Sequence, residues 1–181
     1  MENNRLVQIS KTMSKALRHK PQSLGLQLSI SGWVAVDALL EAFNRKGFSL
    51  SRAELEEVVA KNDKQRFTFD QTKENIRASQ GHSVTVELDL IPLEPPEFLF
   101  HGTTAQSLTA ILETGLNKMR RHHVHLSIDT QTAHKVGSRH GKAIILKVHA
   151  LEMHRAGHAF YCSENGVWLA DTVLPKFLEV L

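Results

Sequence analysis

The segment "IPLEPPEF" at residues 91–98 holds three of the chain's five prolines. Proline lacks a backbone N–H and fixes φ, so neither a helix nor a central strand runs through such a stretch. A core formed before it has to close before it, and the residues after it have to start a new one. The segment therefore predicts a boundary, with one lobe over residues 1–92 and a second over 93–181. A chain of 181 residues accommodates two small lobes, and a hydrophobic content of 41% is enough to give each a core.

The two halves differ in texture. In the first, Leu6, Ile9, Met13 and Leu17 recur at spacings of three and four, one face of an amphipathic helix that Pro21 ends. "GWVAVDALLEAFNRKG" (32–47) reads as a short strand and a helix closed by Gly47. Ser51 with Glu54 three residues on is a capping box, opening a helix that runs to about Asn62. "RFTFD" (66–70) and "NIRAS" (75–79) are extended runs around a polar turn, hence a hairpin. Helices followed by a small hairpin are the parts of a winged helix. In the second half, "FLFHG" (98–102) reads as a strand. A helix follows with Leu108, Ile111 and Leu112 inward and Gly115 as its stop. "HHVHLS" (122–127) alternates as a strand, Asp129 caps a short helix, and "AIILKV" (143–148) reads as a buried strand. "AFYCSENGVWLAD" (159–171) turns at Asn165-Gly166, and "FLEVL" (177–181) is a last strand. The fold class is α+β, because strands do not alternate regularly with helices.

Several function classes drop out. No apolar run approaches 18 residues, so no membrane span or membrane partner is expected. The N-terminal stretch "MENNRLVQISK" has no apolar signal core, and the lone Cys162 leaves no internal disulfide, so a reducing, cytoplasmic setting is expected. Net charge is +3, and it is spread evenly: 13 Lys+Arg against 11 Asp+Glu up to residue 93, and 9 against 8 after it. Any anion site must come from a few placed arginines rather than a basic field. "GSRHGK" (137–142) resembles a phosphate loop but fails: three residues separate its glycines, and Ala143 stands where a hydroxyl is needed.

Ten of the eleven histidines lie between His82 and His158, densest in "RRHHVHLS" (120–127). On a strand His123 and His125 share one face and His122 takes the other. A His-x-His pair can serve zinc only with further ligands, and no second pair has ligand spacing; surface or hydrogen-bonded strand histidines are the plainer account. Three arginines stand out by context: Arg18, beside His19 at a helix end; Arg77, among small residues in "IRASQGHS"; and Arg121, at the head of the histidine run. Guanidinium forks suit phosphate oxygens, but each arginine taken singly fits a surface ion pair as well.

Together, "LRHKP" (17–21), "IRASQGHS" (76–83), "FLFHGT" (98–103), "RHHVHLS" (121–127), "VGSRHG" (136–141) and "ENGVWL" (164–169) resemble, in order, the signature blocks of the KptA-type RNA 2'-phosphotransferases. The resemblance implies a winged-helix-like RNA-binding lobe followed by an ADP-ribosyltransferase-like, strand-rich lobe that binds NAD as co-substrate. It implies NAD-dependent removal of an internal RNA 2'-phosphate, such as that of a tRNA splice junction. In that chemistry the 2'-phosphate attacks C1'' of the nicotinamide ribose. The 2''-hydroxyl then attacks phosphorus, leaving 2'-OH RNA, nicotinamide and ADP-ribose 1'',2''-cyclic phosphate. The family's catalytic set falls on Arg18, His19, Arg77 and Arg121. Its NAD contacts fall on His101, Gly102 and Thr103 at the nicotinamide riboside, Ser127 near the same ribose, and Arg139 at the pyrophosphate. No metal is implied, because guanidinium groups take its place. His125 is expected to orient neighbours, Arg120 to face solvent, and the chain to act as a monomer. Two alternatives stay open: an ADP-ribosyltransferase modifying a terminal nucleic-acid phosphate or a protein acceptor, and a non-enzymatic winged-helix nucleic-acid binder.

Overall fold

The apolar stripe near the N-terminus forms α1 (Asn3–Arg18) in the computed structural model, which describes residues 3–62 and 64–181. Ile9, Met13 and Leu17 are wholly buried, as the three-and-four spacing requires. The chain divides between Asp89 and Leu90 into two compact units, three residues before the boundary expected from the prolines.

In the first unit, β1 (Val34–Ala35) leads directly into α2 (Val36–Arg45), which buries Val36, Leu39, Ala42 and Phe43. α3 (Arg52–Ala60) starts from the capping box. The Ser51 hydroxyl accepts the Glu54 N–H at 3.2 Å, and the Glu54 carboxylate accepts the Ser51 N–H at 2.9 Å. A cap of this kind stabilises a helix by about 1 kcal/mol. β2 (Phe67–Phe69) and β3 (Asn75–Ala78) form the hairpin, and the antiparallel sheet has the order β1-β3-β2. Ile76 and Ala78 on β3 are fully buried among α1, α2 and α3 side chains. Strand alternation turns Arg77, between them, to the opposite face.

The second unit opens with β4 (Leu99–Thr104) and α4 (Ala105–Thr114), then β5 (Leu116–Asn117), β6 (Val124–Leu126) and α5 (Thr130–Gly137). After these come β7 (Ala143–Val148), α6 (Ala150–Arg155), β8 (Phe160–Cys162), β9 (Trp168–Ala170), β10 (Thr172–Val173) and β11 (Leu178–Val180). Three antiparallel sheets result, with orders β11-β7-β4, β6-β9-β8 and β10-β5. The two larger ones are joined by a bridge in which Phe100 and Ser127 exchange backbone hydrogen bonds of 2.8 and 2.7 Å. Their core gathers Leu99, Leu126, Leu146, Val148, Met153 and Phe160.

Three expectations are corrected. Leu112 is exposed, while Leu108 and Ile111 of the same helix pack on the core, so α4 rests on a narrower stripe than its sequence suggests. β7 buries Leu146 and Val148 fully but leaves Ala143 to Ile145 half-buried, because it is buried at one end only. The histidine run is strand only over Val124–Leu126. Arg121 N–H bonds the Lys118 carbonyl in a turn and Met119 has φ 53°, so Arg121, His122 and His123 precede the strand.

Candidate functional site

In the first unit, Arg18 is the last residue of α1, where unsatisfied carbonyls favour positive side chains. Its own carbonyl is occupied: the Ser83 N–H donates to it at 2.8 Å. The same serine holds the neighbouring side chain, with His19 Nδ1 and Ser83 Oγ 2.9 Å apart. One residue of the "IRASQGHS" run thus clamps both the backbone and the imidazole of the Arg18-His19 pair. The Arg18 guanidinium reaches the Arg66 carbonyl at 3.3 Å, which also accepts the Ser79 N–H at 2.9 Å, two residues beyond Arg77. Arg77 lies over the Trp33 ring, 4.4 Å from its centroid, an arrangement that fixes the plane of a guanidinium. His19 is exposed and Arg18 and Arg77 are half-buried, so none of the three side chains is sealed from solvent.

In the second unit, His101, Gly102 and Thr103 lie on β4, opposite Leu146, Ile145 and Ile144 of β7. His101 Nδ1 lies 3.0 Å from the His125 carbonyl oxygen. A carbonyl can only accept, so Nδ1 carries the proton and Nε2 presents a lone pair. Burial, chiefly, pushes the His101 imidazolium pKa below its ordinary 6.5; the hydrogen bond to the His125 carbonyl opposes this and the Arg121 charge adds to it, so near pH 7 the neutral ring is favoured. Ser127 follows β6 directly, and its backbone pairs with Phe100, one residue before His101. Arg121 is exposed, and its Nη1 lies 3.0 Å from His125 Nδ1. Arg121, His125 and His101 therefore form one hydrogen-bonded series. Arg139 sits exposed on the 3-10 turn Ser138–His140, which packs beside the end of β4.

Gly102 has a packing requirement of its own. A Cβ there would lie 1.9 Å from the Ala133 carbonyl oxygen and 2.8 Å from the Gly137 nitrogen. Gly137 is the reciprocal case, with the Gly102 backbone 3.0 Å from its would-be Cβ. Two of the recognised blocks, "FLFHGT" and "VGSRHG", thus meet backbone to backbone where α5 presses on β4.

The donor set suits a nicotinamide riboside, whose amide and hydroxyls are neutral. His101 offers a neutral ring with a lone pair on Nε2 and half-buried Ser127 a hydroxyl, while Thr103 carries its hydroxyl on a buried residue. Arg139 supplies the kind of fork that suits a pyrophosphate. Among the described residues no cluster of three His, Cys, Asp or Glu side chains is arranged to hold a metal. His123 instead packs edge-on against Tyr161, ring centroids 5.6 Å apart, and Arg120 is exposed. Two contributors were not singled out from sequence. Ser83 lay within a recognised block and could have been found as a short polar side chain after Gly81. Trp33 carried no signal, because nothing in its spacing ties it to Arg77.

The model of the RNA 2'-phosphotransferase, Tpt1 / KptA family, matches residues 4–172. A "Probable RNA 2'-phosphotransferase" of Trichormus variabilis is 56% identical over 181 residues, covering all of both chains. Proteins of the same description from Nostoc punctiforme and Streptomyces griseus are each 54% identical, covering 99% and 98% of both chains respectively.

Proposed function

The chain belongs to the Tpt1/KptA family of RNA 2'-phosphotransferases, and from that premise we propose how its residues divide the work of NAD-dependent removal of an internal RNA 2'-phosphate. The first unit serves as a winged-helix-like RNA lobe, supported by helices α1, α2 and α3 and the β1-β3-β2 sheet. The second serves as an ADP-ribosyltransferase-like NAD lobe. The enzyme works as a cytoplasmic monomer on 2'-phosphorylated RNA, such as a tRNA splice junction. The observation that carries the assignment is the Arg121–His125–His101 series, which couples a phosphate-binding cation to a neutral imidazole suited to a riboside.

When bound, NAD supplies an electrophilic C1'' on its nicotinamide ribose and an adjacent 2''-hydroxyl. His101 and Thr103 orient the riboside, Ser127 holds the same ribose, and Arg139 neutralises the pyrophosphate. Gly102 admits the close approach of α5 that places this strand. Arg18, Arg77 and Arg121 hold the phosphate and stabilise the charge that builds on phosphorus in the second displacement. His19, steadied by Ser83, gives a proton to the departing RNA 2'-oxygen. Guanidinium groups do here what a divalent ion does elsewhere, so no metal takes part.

The test is an RNA oligonucleotide carrying one internal 2'-phosphate, incubated with the protein with and without NAD, its phosphate followed. Release as ADP-ribose 1'',2''-cyclic phosphate only with NAD is expected. A stable ADP-ribosylated acceptor would instead indicate an ADP-ribosyltransferase that stops after the first step. Unchanged RNA and NAD would leave a nucleic-acid binder.

A further inference from the structure

We infer that His125 is a positioning residue: its Nδ1 accepts a hydrogen bond from Arg121 and holds that guanidinium where the phosphate chemistry needs it. The inference rests on the assignment of Arg121 to the phosphate.

Arg121 needs such support. It lies in an exposed turn, three residues before β6, and a long arginine side chain there samples many rotamers. His125 does not share that freedom. It sits in the middle of β6, paired through its backbone with Leu169 of β9, and it is half-buried. The 3.0 Å contact between Arg121 Nη1 and His125 Nδ1 thus ties a loose cation to a rigid strand.

The chemistry of the contact is one-sided. A guanidinium has donors and no acceptor, so His125 Nδ1 must be the unprotonated nitrogen and Nε2 carries the hydrogen. A residue here can do the same work only by offering an acceptor at the Nδ1 position. The His125 carbonyl is committed separately, to His101 Nδ1 at 3.0 Å. One residue therefore serves both partners by different atoms: its side chain sets Arg121 and its backbone sets His101. Side-chain substitutions should touch the first task and spare the second.

This separation makes the inference testable. Asparagine places its Oδ1 close to where Nδ1 stood, leucine fills similar space with no acceptor, and glutamine carries its oxygen one carbon further out. With a 2'-phosphorylated oligonucleotide and saturating NAD, His125→Leu should lower kcat roughly tenfold, the scale of one lost hydrogen bond to a charged group. KM for NAD should stay within about twofold, because the His101 contact is to backbone. His125→Asn should recover to within about threefold of wild type. Combined with Arg121→Ala, His125→Leu should lower kcat by much less than it does alone, since its effect on the phosphate chemistry runs through that arginine. Should the leucine variant melt early, the asparagine–glutamine pair carries the same contrast between two folded, polar side chains. Asparagine no better than leucine or glutamine, or an undiminished His125→Leu loss in the Arg121→Ala background, would overturn the inference. Arg121→Ala itself at wild-type activity would instead overturn the assignment on which it rests.

Discussion

Replacing Gly102 by alanine adds one methyl group, and the structure says where it goes. The new Cβ would stand 1.9 Å from the Ala133 carbonyl oxygen, against 3.4 Å or more for ordinary contact. α5 would have to retreat from β4 by about 1.5 Å. That obstacle is backbone, not the end of a flexible side chain, so it cannot swing aside. A gap of even 1 Å along a packed face forfeits up to about half of each dispersion contact. The cost therefore falls near the top of the overpacking range, about 3 kcal/mol. Alanine also restricts the unfolded chain, which by itself would stabilise by about 0.4–1 kcal/mol. The net expectation is a loss of about 2 kcal/mol in the second unit. Gly137→Ala meets the Gly102 backbone at 3.0 to 3.1 Å and should cost less. The chain's two tryptophans fall one in each unit, so Trp33→Phe leaves Trp168 to report the second. Urea unfolding followed by Trp168 fluorescence should show the midpoint of Gly102→Ala lowered by about 1 M, for a slope near 2 kcal/mol per molar. A midpoint equal to or above that of the parent, or Gly137→Ala the worse of the two, would refute the steric argument.

Arg77→Lys keeps the charge but loses the planar fork stacked over Trp33, and turnover of a 2'-phosphorylated oligonucleotide should fall roughly 10²-fold. A rate within about threefold of wild type would place Arg77 outside the chemistry. His19→Ala and Arg121→Ala should slow the second displacement more than the first, so a 2'-phospho-ADP-ribosylated RNA accumulates in a time course, while Arg120→Ala behaves as wild type. Unreacted RNA with no such species at any time would assign both residues to binding or to the first displacement. Acid should weaken the second unit: burial, chiefly, holds His101 and His123 below the ordinary 6.5, so below that pH the unfolded chain takes up protons that the folded unit refuses. Stability should thus decline as pH falls through the window below 6.5, and a Trp168-monitored urea midpoint unchanged between about pH 7.5 and about pH 5.5 would contradict it.

The features legible in the sequence are those that neighbours in the chain decide. The α1 stripe, the Ser51–Glu54 cap, the Asp129 cap and the turn at Asn165-Gly166 depend on contacts within a few residues, and all four are present. The pairing of Leu116–Asn117 with Thr172–Val173 was not legible, because two-residue strands carry no period and their partners lie far apart in sequence. The alternation in "RRHHVHLS" misled for a related reason: a turn at Lys118–Arg121 overrides it, so strand geometry begins only at Val124. Gly102 could be recognised as part of a block, but not as the point on which α5 rests, since Ala133 and Gly137 are a helix away. His125 was expected to orient neighbours; that it faces Arg121 with one nitrogen and His101 with its carbonyl follows from tertiary contacts that no local pattern encodes.

The bridge between Phe100 and Ser127 makes a clock. Each residue gives its amide hydrogen to the other, at 2.8 and 2.7 Å. Those two hydrogens trade with deuterated solvent only when an opening motion separates the sheet that ends at β4 from the sheet that begins at β6. Amides buried within the β4–β7 ladder, such as those pairing His101 with Leu146, trade only when that ladder itself opens. The two rates therefore time different events in one unit. A dinucleotide resting on His101 on one side and Ser127 on the other would slow the first and leave the second near its free value, so isotope uptake at two backbone positions reads occupancy without any turnover.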